Sequence, residues 1–138
     1  REWLAALGPA AGRVHFAGYV AEPDLAPLYS GAAAFAFPSV YEGFGLPPVE
    51  MMACGGAAVV STADTIREVV GPHAPQLDPN DLPGWREAMR RAITDREFLA
   101  PFRRGAVAHA AGVRRGHRPR RTSGRDPRAP GPPAAAAP

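Results

Sequence analysis

The residues best able to do chemistry lie in one stretch, Phe37-Pro38-Ser39-Val40-Tyr41-Glu42-Gly43-Phe44-Gly45-Leu46-Pro47-Pro48-Val49-Glu50. Seven residues separate its two carboxylates, Glu42 and Glu50. One continuous helix cannot account for that spacing, because Gly43, Gly45, Pro47 and Pro48 would all fall inside it. Glu42 is therefore expected on a loop at the carboxyl end of a strand, and Glu50 in the first turn of the helix that follows. Glycines permit close backbone approach, so the amides of Gly43, Phe44, Gly45 and Leu46 can point at an anion. A helix beginning near Pro48, whose missing N–H costs nothing at a first helical position, adds its positive end. The chemistry suggested is a diphosphate cradled by amides, with a carboxylate on either side accepting hydrogen bonds from hydroxyl groups. A sugar nucleotide has both features.

The elements that must position this segment alternate. Trp3–Leu7 reads as a helix end stopped by Gly8-Pro9, and Val14–Ala17 as a short strand closed by Gly18. Asp24 suits the N-cap of a helix that places Leu25, Leu28 and Tyr29 on one face. Ala34–Phe37 is apolar, too short for a helix and closed by Pro38, which predicts a buried parallel strand. After the loop, the helix through Glu50, Met51 and Met52 should stop at Gly55-Gly56. Ala57–Ser61 is the next buried strand, and a short helix over Thr65–Val70 ends at Gly71. Two amphipathic helices are expected over Pro83–Thr94 and Arg96–Ala110. Strands alternating with helices predict an α/β fold, a Rossmann-like parallel sheet with flanking helices. Its carboxyl-end crevice is the usual ligand position. Three strands are few for such a sheet, and the start lacks an initiator methionine, so part of the fold is expected before residue 1.

These segments resemble the carboxyl-terminal domain of family 4 retaining glycosyltransferases. The resemblance rests on Gly18-Tyr19-Val20, the Ala-rich run into Phe37-Pro38-Ser39, and Tyr41-Glu42-Gly43-Phe44-Gly45-Leu46-Pro47. It extends through Glu50 with Met52-Ala53-Cys54-Gly55, Glu68-Val69-Val70-Gly71 and Asp78-Pro79, covering about Val14 to Ala111. It implies half of a GT-B fold and transfer of a sugar from a nucleotide-activated donor (a UDP- or GDP-sugar) with retention of configuration, without an essential metal or a cofactor. By the same resemblance Glu50 takes the donor ribose hydroxyls, Glu42 is the catalytic-site carboxylate on the transferred sugar, and the Gly43, Phe44, Gly45 and Leu46 amides meet sugar and diphosphate. Gly18, Tyr19 and Val20 should lie near the base. The basic pair that neutralises the donor phosphates, and the amino-terminal domain that binds the acceptor, would precede residue 1. The fragment is therefore expected to be inactive alone, with an acceptor that its residues do not identify. Where the family has Thr-Pro or Ser-Pro after Ala-Cys-Gly, this chain has Gly56-Ala57; where Pro commonly precedes the later glutamate, it has Arg67.

Composition sets the outer limits. The chain has 138 residues and a formal charge of +3, but the charge is unevenly placed. Residues 1–112 hold nine arginines against twelve acids, whereas residues 113–138 hold seven arginines against Asp126 alone. We read 1–112 as the partial glycosyltransferase domain and 113–138 as a disordered Arg/Pro/Ala-rich tail, too poor in apolar residues to bury itself. A basic tail can contact phosphates, but this one has no aromatic residue for base stacking, so nucleic acid is set aside as a partner. A further hypothesis is a frameshift near Ala110–Val113, because Gly112–Arg118 can be encoded so that a one-base shift reads Ala-Phe-Asp-Ala-Gly-Thr-Ala. The coding DNA decides it. No run of eighteen apolar residues spans a membrane, although the resemblance leaves room for peripheral membrane association of the full enzyme. A single cysteine, Cys54, and the lack of a signal-peptide pattern fit a cytoplasmic protein.

Plainer readings compete at each position. Paired carboxylates also serve glycoside hydrolysis, but the amide-rich turn favours an anionic ligand. Glu50 at a third helical position could simply cap the helix. Cys54 is read as a buried, inert thiol, and Met51, Met52, Trp85 and Met89 as core. His15, His73, His109 and His117 have no metal-ligand spacing. The alternative to an enzyme fragment is a degenerate domain that binds a nucleotide weakly or only pairs with another protein.

Overall fold

A computed structural model describes residues 2–116 of the chain. Helix α1 (Glu2–Ala5) and a 3-10 segment (Gly8–Arg13) precede α2 (Glu22–Gly31). Then follow β1 (Phe35–Phe37), α3 (Leu46–Ala53), β2 (Ala58–Ser61), α4 (Asp64–Val70) and β3 (Gln76–Leu77). Helices α5 (Leu82–Thr94), α6 (Ala100–Arg103) and α7 (Ala106–Gly116) complete the order. The sheet is parallel with strand order β1-β2-β3, in register Phe35 to Ala58 and Val60 to Gln76.

The central strand explains the layering. Ala58 and Val60 face a core with Tyr29 of α2, Val49, Met51 and Met52 of α3, Ile66, Val69 and Val70 of α4, and Ala106 and Ala110 of α7. Ala57 and Val59, offset by one residue, face Trp85 and Ala88 of α5 and Leu99. A strand alternates its side chains between faces, so a run apolar at every position needs cover on both. The result is a sheet with helices on each side, and all four residues of β2 are buried.

Several expectations are corrected. Val14–Ala17 forms no strand; Val14 and Phe16 are exposed, and no described strand pairs with them. The third strand is instead β3, two residues whose polar Gln76 and preceding Pro75 concealed it. β1 is parallel, but it lies at an edge and is only half-buried, with Ala36 exposed. Helix α2 begins at Glu22, with Pro23 in its first turn and no side-chain cap from Asp24. Tyr29 is buried on its inner face and Leu25 half-buried, while Leu28 points outward. The helix expected over Arg96–Ala110 breaks into α6 and α7, because Pro101 starts a new first turn and Gly105 adopts φ +79°. Imidazole His73 lies 3.1 Å from where a Cβ at Gly105 would stand, so a glycine suits the break on both counts. Helix α7 runs to Gly116, four residues into the segment expected to lack structure, and Val113 packs against the core. Residues 117–138 lie outside the described region, as does the rest of the tail expectation.

Candidate functional site

The glycine-rich turn is set by its two ends. At its start, β1 runs out through Pro38 into Ser39, whose carbonyl accepts a hydrogen bond from the Ser61 hydroxyl at the end of β2. Ser61 is fully buried, so this bond ties the carboxyl ends of the two strands together beneath the loop. The Ser39 hydroxyl lies 2.8 Å from Oε1 of Glu42 and 3.1 Å from the Tyr41 carbonyl. It has one proton to give, and the shorter, charge-assisted partner is the carboxylate. Glu42 is thereby held on the loop at a strand's carboxyl end, as its sequence position predicts.

At the far end, Gly45 adopts a left-handed conformation, φ +75° and ψ +41°, and serves as the N-cap of α3. A Cβ there would stand 3.4 Å from Val69 Cγ2 and 3.5 Å from Ile66 Cγ1, so the turn sits directly on α4. Phe44 is half-buried against the same core, whereas Gly43 is exposed and Leu46 is 51 % exposed. The left-handed turn lets the helix begin at Leu46, two residues before the expected Pro48, because both prolines fit a first turn. Neither proline has an N–H. Leu46 is thus the one amide donor among the first three helical residues, and together with the loop amides of Gly43 and Gly45 it makes no hydrogen bond to another described residue.

The earlier start moves Glu50 to the fifth helical residue, in the second turn and not the first. A capping role, which needs the third position, is therefore ruled out by geometry. Glu50 is half-buried, and its Oε2 accepts a hydrogen bond from the Tyr29 hydroxyl at 3.2 Å. The Tyr29 ring is buried edge-on to Phe35 at 5.6 Å, and Phe35 stacks on Phe37 at 5.9 Å. Burial, reinforced by the neighbouring Glu50 carboxylate, pushes the Tyr29 phenol above its ordinary pKa. In the sequence the spacing of Tyr29 marks only an apolar face. Its phenol was the available signal, since a buried tyrosine hydroxyl usually finds a polar partner.

Glu42, Gly43, Phe44, Gly45, Leu46 and Glu50 form one continuous turn and helix start. Gly18, Tyr19 and Val20 precede α2: Gly18 has φ +64°, Tyr19 is 93 % exposed, and no described hydrogen bond links the three to the turn. Cys54 is half-buried and not fully enclosed as expected. Among the described residues no three His, Cys, Asp or Glu side chains cluster to hold a metal. No described helix is long and apolar enough to cross a membrane. An open depression lined by Leu82, Pro83, Arg86, Glu87 and Arg90 lies on α5, across the sheet from α3.

Known proteins resemble most of the described chain. Residues 1–95 match the family described as glycosyl transferases group 1. The chain is 38 % identical over 96 residues to the serotype-specific mannosyltransferase WbdA of Escherichia coli, an alignment covering 70 % of this chain and 12 % of that protein. It is 44 % identical over 79 residues to O-antigen chain mannosyltransferase B of Escherichia coli, covering 57 % of this chain and 21 % of the relative. It is 35 % identical over 92 residues to D-inositol 3-phosphate glycosyltransferase 1 of Catenulispora acidiphila, covering 65 % of this chain and 22 % of the relative. The chain therefore spans less than a quarter of the length of each of these relatives.

Proposed function

The chain belongs to the glycosyl transferases group 1 family, and on that premise we propose that it carries half of the donor site of a retaining, family 4 glycosyltransferase. In this reading it is part of the carboxyl-terminal domain of a GT-B fold, and the whole enzyme moves a hexosyl group from a UDP- or GDP-sugar to an acceptor. The mannosyltransferase names among its relatives favour a mannosyl donor. Glu50 accepts hydrogen bonds from the ribose hydroxyls and Glu42 from hydroxyls of the transferred sugar. The amides of Gly43, Gly45 and Leu46, with Phe44 between them, face the diphosphate.

The observation that carries this reading is the left-handed turn at Gly45 with a hydroxyl-anchored carboxylate at each end. Fixed amide dipoles beside a diphosphate stabilise the charge that grows on it as the sugar–oxygen bond breaks, and being rigid they need no reorganisation. The α3 macrodipole adds to this, while its two prolines confine direct amide contacts to the turn. Gly18, Tyr19 and Val20 are assigned to the base, and a second domain to the acceptor, so the fragment alone does not turn over.

Titration of the purified chain with UDP, GDP and their sugar conjugates tests the proposal. Saturable binding that Glu50→Ala weakens supports it. Absence of binding, with a folded circular-dichroism spectrum, favours the degenerate, non-catalytic domain.

A further inference from the structure

We propose that Tyr29 is a positioning residue for Glu50, its hydroxyl holding one carboxylate oxygen so that the other is presented to the ribose. The inference rests on the donor-site reading and adds to it a residue from a separate element, 21 positions upstream. A glutamate has several rotatable bonds, and fixing them before the ligand arrives lowers the cost of binding. The carboxylate has about four lone-pair sites. The phenol uses one on Oε2, which leaves Oε1 for two adjacent hydroxyls. The phenol cannot itself wander, because its ring is buried against Phe35 of β1, the strand that also leads to Ser39 and Glu42. The same device recurs at Glu42, where a hydroxyl from outside the turn's glycines holds Oε1. At 3.2 Å the Tyr29–Glu50 bond is longer than a tight phenol–carboxylate bond, so it has room to shorten when ligand fills the other oxygen.

Tyr29→Phe keeps the ring and removes only the hydroxyl, and circular dichroism checks that the variant folds. The probes are UDP and GDP, each beside its 2′,3′-dideoxy counterpart, which lacks the hydroxyls that Glu50 would meet. Tyr29→Phe should weaken the ribonucleotide about tenfold, equivalent to about 1.4 kcal/mol, and leave the dideoxy form unchanged. Added to Glu50→Ala it should cost nothing more. Equal weakening of both nucleotide forms, or no weakening of either, overturns the inference and leaves the donor-site reading standing. No saturable binding by the unaltered chain overturns the donor-site reading, and this inference with it. A ligand-free measurement reports on the contact itself: with 13C-labelled tyrosine, Glu50→Ala should lower the Tyr29 titration midpoint, and an unmoved midpoint overturns the inference whatever the nucleotides do.

Discussion

Met51 lies over Gly56, its Sδ and Cε filling the space that any Cβ at position 56 would need. Met51 is fully buried, and the Gly56 amide closes the turn by donating to the Met51 carbonyl at 3.0 Å. Gly56 is thus matched by a methionine that uses the room. Gly56→Thr is expected to cost about 1–3 kcal/mol through overpacking. Met51→Ala should cost about 2–5 kcal/mol through the cavity it leaves. The double variant should lose less than the sum, because each change relieves the other. Urea denaturation of the three variants measures this, and simple additivity would show that the two side chains do not share the space.

Gly45 is constrained twice, by its left-handed backbone and by Val69 and Ile66 beneath it. Gly45→Ala should destabilise the chain by about 1–2 kcal/mol from the backbone alone. Because the residue caps α3, nucleotide affinity should fall along with stability. A variant that keeps the unaltered denaturation midpoint and affinity would mean that the turn is not built as described.

The bond from Ser61 to the Ser39 carbonyl and the bond from Ser39 to Glu42 separate scaffold from site. Ser61→Ala leaves a carbonyl without its partner and should cost about 1–3 kcal/mol. Ser39→Ala should cost little stability, because its hydroxyl is the group aimed at Glu42. It should weaken a UDP- or GDP-sugar more than the bare nucleotide, since Glu42 is assigned to the sugar. Isothermal titration with both ligands decides the point, and equal losses would detach Glu42 from sugar recognition.

What could be read from sequence was what is local. Ala57–Ser61 announces a strand covered on both faces by its unbroken apolar run, and Gly45 and Pro48 announce a turn and a helix start within two residues. The Gly-rich turn between two carboxylates was legible for the same reason. Val14–Ala17 has the alternation of a strand, but a strand also needs a neighbour, and no described strand pairs with it. β3 exists because Val60 donates to the Pro75 carbonyl and Thr62 to Leu77, contacts that a two-residue pattern cannot signal. The hydroxyl partners were illegible in the same way. Ser39 and Ser61 are 22 residues apart and Tyr29 and Glu50 are 21 apart, and only the register of β1 on β2 and the packing of α2 on α3 join them. Helix α3 starts two residues before the expected Pro48 because a proline at the second or third helical position is as unstrained as one at the first, and that shift alone puts Glu50 out of capping range.

Alkaline pH offers a test of the Tyr29 environment that needs no ligand. Burial, then Glu50, raise the Tyr29 pKa in the folded chain above its unfolded value of about 10. The neutral phenol is the favoured form in the fold, so its contribution to stability is complete below about pH 10 and is lost as pH rises through the folded pKa. The chain has no lysine, so no lysine side chain titrates alongside the phenol. The urea midpoint should therefore fall as pH rises above about 10, and that of Tyr29→Phe should fall less over the same rise, its starting stability being lower by about 0.5–1.5 kcal/mol for one lost hydrogen bond. Parallel pH profiles for the two proteins would mean that the Tyr29 phenol is not held against Glu50 as described.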